Sequence, residues 1–268
     1  MAGSNANDDP TTNSGAKTGA VPAEVIARAQ DQIFAPGRSS RVKYQDLVVG
    51  RQGFAALAKH ELVVMLCQGL AGAAGLALRK MMYPWVLGSC GRGVVFGQNV
   101  VLRHPHKIHI GNDVVIDDNC LVDAKGDTNL GIRIGNGVFI GRNTILSCKN
   151  GDIQVADGAN LGFNCEVFSA SRVTIGRNVL IAAYSYVIGG DHDFSDPAKA
   201  VISQPRVSAG VSIGEGAWIG AGAKILDGVA IGDHAVIGAA ALVRENVPAG
   251  TIAVGIPARV VGSRSARA

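Results

Sequence analysis

Aromatic side chains and charge are both scarce in this chain of 268 residues. Phe, Trp and Tyr make up 5% and the four charged types 17%. Such a chain cannot build its core around stacked rings, and it lacks the basic stripe with interleaved aromatics that marks nucleic-acid readers. Proline is sparse (9), which excludes a collagen, and a mean hydropathy of +0.23 excludes a disordered chain. The five cysteines form no CxxC pair, and their odd number fits a reducing compartment better than a disulfide framework. No basic segment followed by an apolar run opens the chain, so a cytoplasmic protein is expected. What the chain does have is glycine, 36 residues, about twice the usual share, among many Val, Ile and Ala. Aliphatic strands that turn often are the implied architecture.

Charge is spread unevenly. The net charge is +4, yet residues 93–243 carry 11 basic against 14 acidic groups, so the positive excess sits at the two ends. Residues 1–20 read as a polar tail. Residues 21–92 read as a helical extension, with one helix over 22–34 opening at Pro22 and a second helical stretch from Asp46 to Met82. Inside the latter, Leu62–Leu78 carries no formal charge and is followed by Arg79 and Lys80. Three arrangements fit that run: a helix or helical hairpin packed on the protein, an interfacial membrane anchor using residues 62–87, or a single span. A span wants roughly 20 apolar residues, and this run contains Gln68 and three glycines.

From residue 93 a period of six appears. Aliphatic or aromatic residues stand at 96, 102, 110, 116, 122, 134, 140, 146, 155, 161, 167, 175, 181 and 187, then at 213, 219, 225, 231, 237 and 243. Glycine follows many of them, as in Ile110-Gly111 and Ile237-Gly238, and position five is small or β-branched, as in Cys120, Cys165 and Ala235. Six is neither a helical nor a simple alternating period; it describes a short strand and a bend, with positions one and five inside and glycine turning the chain at position two. Three such units close a coil of eighteen residues, and stacked coils make a three-sided prism that needs capping at its ends. The signature resembles the left-handed parallel β-helix of hexapeptide-repeat proteins. The solenoid is expected over 93–248, capped by the helices at one end and by residues 249–268 at the other. Cys120 and Cys165 are read as interior packing groups.

The period fails between Val187 and Ile213, and the loop 188–212 contains His192 between Asp191 and Asp193. A long excursion from a rigid repeat is a common place for function. The text around it, from Val173 to Val260, resembles the hexapeptide-repeat acetyltransferases, the group that includes galactoside, maltose and xenobiotic O-acetyltransferases and those of polysaccharide assembly. VTIGRNVLIAAYSYV precedes the loop, IGEGAWIG follows it, and GIPARV ends the region.

That resemblance implies an acetyl-CoA-dependent transferase, working as a homotrimer on a small-molecule or glycan acceptor. It assigns His192 as the catalytic base and places Trp218, Gly220, Ala221 and Ala239 along the coenzyme, with Arg244 and Arg259 towards its phosphate end. The family usually has a polar side chain where Ala221 stands. Asn164 and Ser169, one coil before the loop, and Asp191 are the acceptor candidates, and Asp191 or Asp193 is a candidate to orient the imidazole. An imidazole with its ordinary pKa near 6.5 suits removal of a hydroxyl proton, and an acetyl thioester needs no acyl-enzyme. No metal is expected. The rival readings are acetylation of an amine, a zinc enzyme of the β-helical carbonic anhydrase type using His104, His106 and His109, and a non-catalytic scaffold.

Overall fold

A computed structural model describes residues 24–26 and 37–264. From Ser89 onward the chain winds through three parallel sheets in strict rotation. Sheet one runs from Ser89–Cys90 to Ala230–Ile231 and sheet three from Val101–Arg103 to Leu242–Val243, each with seven strands. Sheet two has nine, beginning at Val95–Phe96 and ending in the hairpin of Thr251–Gly255 and Ala258–Ser263. This is the left-handed β-helix of hexapeptide repeats. All twenty periodic positions are buried, as are Cys120 and Cys165, and together they form one continuous aliphatic core. Burial pushes the Cys120 thiol up to about 11 and raises that of Cys165 as well, so both stay protonated packing groups.

The corner chemistry differs from the expectation. Glycine at position two does not supply the left-handed turn. That conformation falls at position four, where Asp113, Asn119, Asn143, Asn164, Asn178 and Gly137 all have φ between 53° and 63°. Asn and Asp tolerate it better than other side chains. Where glycine stands at position two, the next coil passes close: a Cβ on Gly141 would stand 2.8 Å from the backbone of Gly162, and one on Gly220 2.6 Å from the Ala239 nitrogen. Where position three carries Asn or Asp, its side chain ties successive coils. Arg92, Asn112 and Asn136 each donate a backbone N–H to the Asn112, Asn136 and Asp157 side chains one coil on.

Only the later coils close in eighteen residues, as in Trp218 over Val236 and Lys224 over Leu242. Earlier coils are longer, and every surplus leaves the same edge, between sheets three and one: residues 104–107, 124–131, 149–151, 170–171 and 190–210. One edge therefore carries all the irregular chain of the prism, while the other two edges are tight corners.

Helix α1 (Ser40–Tyr44) continues into a wider turn, Gln45–Val49, and is followed by α2 (Phe54–Cys67) and α3 (Gly72–Met82). The uncharged run is thus broken at residues 68–71, and among the described residues no helix is long and apolar enough to cross a membrane. The helices close the first coil. The buried Arg79 guanidinium donates to the carbonyls of Phe96, Cys67 and Leu70, Tyr83 donates to Val100, and the Tyr83 and Phe96 rings meet edge to face at 5.0 Å. Their outer side is apolar and exposed, with Phe54 at 75% and Met65 at 79%. The helix expected over 22–34 is replaced at Glu24–Ile26 by a strand; its other residues lie outside the described ones. A helix there would forgo the backbone pairing with Arg206–Ser208 that this strand makes.

Candidate active site

The largest excursion carries its own small sheet. Asp191–His192 pairs antiparallel with Arg206–Ser208, which pairs in turn with Glu24–Ile26. Polar side chains hold its base and its middle. The Asp227 carboxylate accepts the N–H groups of Ala209 and Gly210 at 2.8 and 2.9 Å, and the Ser208 hydroxyl donates to the Gly189 carbonyl at 3.0 Å. Buried Gln204 accepts from the Asp196 N–H and donates to the Asp196 and Lys199 carbonyls. These anchors escaped the sequence reading because neither Gln204 nor Asp227 belongs to a motif. Each is legible only as a polar residue that a loop folding back on itself would need.

His192 is exposed at the free edge of this ribbon. Asp191 is spent on the backbone, accepting from the N–H of His192 at 2.7 Å, and Asp193 accepts from the N–H of Ser195 at 2.9 Å. That second bond holds the Asp193 carboxyl below the ordinary range. Both carboxylates serve the backbone here, since short side chains in turns bond their nearest N–H groups first.

The other residues fall into two groups. Trp218, half-exposed, stands outward on sheet two, beside Leu180 and Val236. Just beyond it, at the edge between sheets two and three, Gly220 stacks under Ala239, and Ala221 and Ala239 show only methyl groups to solvent. Gly220, Ala221 and Ala239 thus form a stretch of small residues beside the Trp218 ring. Arg244 and Arg259 are drawn together at the C-terminal end by Glu245, which lies 3.7 and 3.3 Å from them. On the same edge, in the three coils that precede Trp218, Arg142 stacks over Phe163 at 4.7 Å and Phe163 meets Tyr184 at 5.7 Å. Tyr184 has φ 62° and is exposed, a strained conformation for a bulky residue. Its place at position four, where neighbours carry Asn, was the available signal.

One acceptor candidate is corrected. Ser169 is fully buried and its hydroxyl donates to the Asp152 carbonyl at 2.8 Å, so it serves the core. Asn164 sits half-buried at a left-handed corner, which its residue type suits. The three histidines do not converge either. His104 and His106 stack at 6.2 Å with His104 Nε2 on the Asp46 carbonyl, while His109 bonds Ser89 on sheet one. Among the described residues no three metal-binding side chains cluster.

The His192 loop leaves the edge between sheets three and one, whereas Trp218 and the small residues after it lie on sheet two and its far edge. Outward positions differ by sheet. Sheet one shows His109, Arg133, Gln154, Thr174 and Ser212; sheet two shows Val95, Val115, Phe139, Asn160, Leu180, Trp218 and Val236; sheet three shows Val101, Leu121, Ile145, Glu166, Tyr186, Lys224 and Leu242.

Residues 210–245 match the family model described as bacterial transferase hexapeptide (six repeats). The chain is 33% identical to "Probable acetyltransferase Rv3034c" of Mycobacterium tuberculosis over 195 residues, 73% of this chain and 63% of that protein, which is less than two thirds of its length. It is 35% identical to Nodulation protein L of Rhizobium meliloti over 150 residues, 54% of this chain and 80% of that one. Among solved structures, the polySia specific acetyltransferase NeuO superposes with a TM-score of 0.51 at 23% identity, over 67% of this chain and 82% of that one, a likeness of fold. With this repeat, this interrupting loop and these relatives, the chain belongs to the hexapeptide-repeat acetyltransferase family.

Proposed function

We propose that the protein transfers an acetyl group from acetyl-CoA to a hydroxyl of a saccharide-like acceptor, with His192 as general base. The observation that carries this reading is the exposed His192, held on a braced ribbon outside a prism of the family's fold. As the acceptor oxygen attacks the thioester carbonyl carbon, the C–O bond forms and the imidazole takes the hydroxyl proton. Collapse of the tetrahedral intermediate breaks the C–S bond, and the proton passes to the departing thiolate to give the free thiol. The described thiols are unpaired and four are buried, which favours direct transfer over an acyl-enzyme. The small residues Gly220, Ala221 and Ala239 leave room for the slender pantetheine arm. Arg244 and Arg259 suit its phosphates, although Glu245 shares their charge. The test is thiol release from acetyl-CoA by the purified full chain across a panel of saccharide acceptors. Release that depends on an acceptor and on His192 supports the reading; no release and no coenzyme binding overturns it.

We further propose that the protein acts as a homotrimer. Sheet two presents a mainly apolar exterior, sheet three a mixed one with Glu166 and Lys224 among aliphatic positions, and sheet one a polar one. A cyclic arrangement packs sheet two of one subunit against sheet three of the next, a heterologous contact that closes after three copies. It also lets the His192 edge of one subunit approach the Trp218 face of its neighbour. The five unpaired thiols suit a reducing, cytoplasmic setting. The exposed apolar side of α2 and α3, with Trp85 half-exposed beyond it, supports contact with the surface of a membrane through residues 62–87. Co-sedimentation with vesicles of mixed neutral and anionic lipid tests that contact, and full-length protein that ignores them overturns it.

A further inference from the structure

The edge that carries the His192 loop also carries a cavity of about 440 Å³, nearer the N-terminal end of the prism. The shorter excursions 104–107, 124–131 and 149–151 wall it, and the turn after α1 closes it. Its charge runs against that of the solenoid as a whole. Lys107, Lys125 and Lys149 line it, together with Arg38, against Asp46 and Asp127. Several of these are committed. Asp46 pairs with Arg38 and Gln52, and Lys107 donates to the Gly126 carbonyl and to Asn129. Nearby Asp123 lies by Arg103 and accepts the backbone N–H of Lys125. No carboxylate forms an ion pair with Lys125 or Lys149 among the described residues.

The cavity connects to the catalytic loop through one ring. Lys149 Nζ lies 4.9 Å from the centre of Phe168, and the Arg206 guanidinium lies 5.5 Å from the same centre. Two cations on one aromatic ring repel each other. Burial, then Arg206 and Lys125, hold the Lys149 ammonium below its ordinary range, and Asp123 and Glu166 offset only part of this. The Arg206 Nε is buried without a hydrogen-bond partner, and so are His104 Nδ1 and His106 Nδ1 in the cavity wall. Arg206 stands directly opposite His192 in the antiparallel pair, and Phe168 Cε1 would lie 3.3 Å from a Cβ on Gly190. Lys125, Lys149 and Arg206 thus form a cationic run that leads from the cavity to the base.

We propose that this run binds an anionic group, phosphate or carboxylate, on the acceptor, so that its hydroxyl is presented at His192. Opposite charge relieves the repulsion that the fold holds in place, and guanidinium and ammonium donors match both oxyanions in geometry. The assignment deepens the acetyl-transfer reading: the anion site stands on its own geometry, and only the role of the bound molecule as acceptor rests on that reading.

The test is titration calorimetry of the full chain with three probes: glucose 6-phosphate, methyl glucuronide and neutral methyl glucoside. At least one anionic sugar is expected to bind ten times more tightly than the neutral one, and which of the two does so identifies the anion. Lys125→Gln with Lys149→Gln, and separately Arg206→Gln, should reduce that preference at least tenfold with circular dichroism unchanged. Lys149→Glu alone covers the case in which the double variant fails to fold. Equal binding of charged and neutral probes by the wild type overturns the proposal, as does a preference that survives the folded variants. Thiol release from acetyl-CoA in parallel separates the two readings: anion binding without acceptor-dependent release removes the acetyl-transfer reading and leaves the anion site.

Discussion

The carboxylate of Asp191 accepts a hydrogen bond from the backbone N–H of His192 at 2.7 Å, and so fixes the turn that aims the imidazole without touching it. Substitution at the two positions should therefore have different consequences. His192→Ala removes the proton acceptor and should lower turnover by about 10²–10⁴-fold, the usual contribution of general base catalysis. Coenzyme binding should change little. Asp191→Asn keeps an oxygen acceptor for the same N–H and should cost less than tenfold. Steady-state thiol release with an accepted acceptor reads both, and near-normal turnover by a folded His192→Ala variant removes the mechanism.

Two glycines in adjacent units separate the two uses of that residue. Gly141→Ala places a methyl group 2.8 Å from the Gly162 backbone of the next coil, which must shift. Forced overpacking of this kind typically costs 1–3 kcal/mol. Gly137, with φ 63° and nothing within 4 Å of where a Cβ would stand, occupies the corner that Asn fills at 119, 143, 164 and 178. Gly137→Asn should stay within about 0.5 kcal/mol of wild type, because the narrower unfolded ensemble offsets residual strain. Chemical denaturation of both variants checks the contrast.

That contrast also marks how far the residues could be read in advance. The solenoid was legible because each interior position sees the same environment in every coil, so a single period writes itself into twenty residues. The interior roles of Cys120 and Cys165 followed from it. What the period could not carry was anything set by the next coil or by a distant segment. The close approach at a position-two glycine comes from a backbone about twenty residues on. The strand at Glu24–Ile26 exists to pair with Arg206–Ser208 and has no local signal. His192 stood out as the histidine of the break, but the cations that lead to it lie on separate excursions, at 125, 149 and 206. They meet only because the surplus of every coil leaves the same edge.

The histidines of the cavity wall give stability a pH dependence. Burial, reinforced by Arg51 and neighbouring cations, pushes the pKa of His106 down to about 4, and burial lowers that of His104 too. The unfolded chain binds a proton near pH 6.5 that the folded one refuses until about pH 4. Stability is therefore complete above pH 6.5 and falls as the pH drops from there towards 4. For a partly buried ring the loss is on the order of 2 kcal/mol. Melting temperatures at pH 7 and pH 5 should differ more for the wild type than for His106→Gln, which has no proton to refuse. Equal slopes would show that the ring is more solvated than its packing against Gly50 indicates.

The trimer can be tested at the face that would be covered. Phe139, Leu180 and Trp218 lie in register on the outside of sheet two, with Asn160 between the first two, and are 37%, 44% and 49% exposed. An isolated subunit would leave this row in water. Burying it between subunits stabilises association by roughly 25 cal/mol for each Å² of apolar surface covered. Leu180→Glu places a carboxylate in the middle of the row, where a closed trimer would have to desolvate it without a partner. The chain's own core is untouched, because Leu180 points outward and Ile181 inward. Sedimentation at micromolar concentration should show a trimer for the wild type and a folded monomer for Leu180→Glu. If His192 and Trp218 act together only across subunits, the monomer should also lose most of its acetyl transfer while its melting temperature falls little. A wild-type monomer, or a Leu180→Glu monomer with full activity, would return the entire site to a single chain.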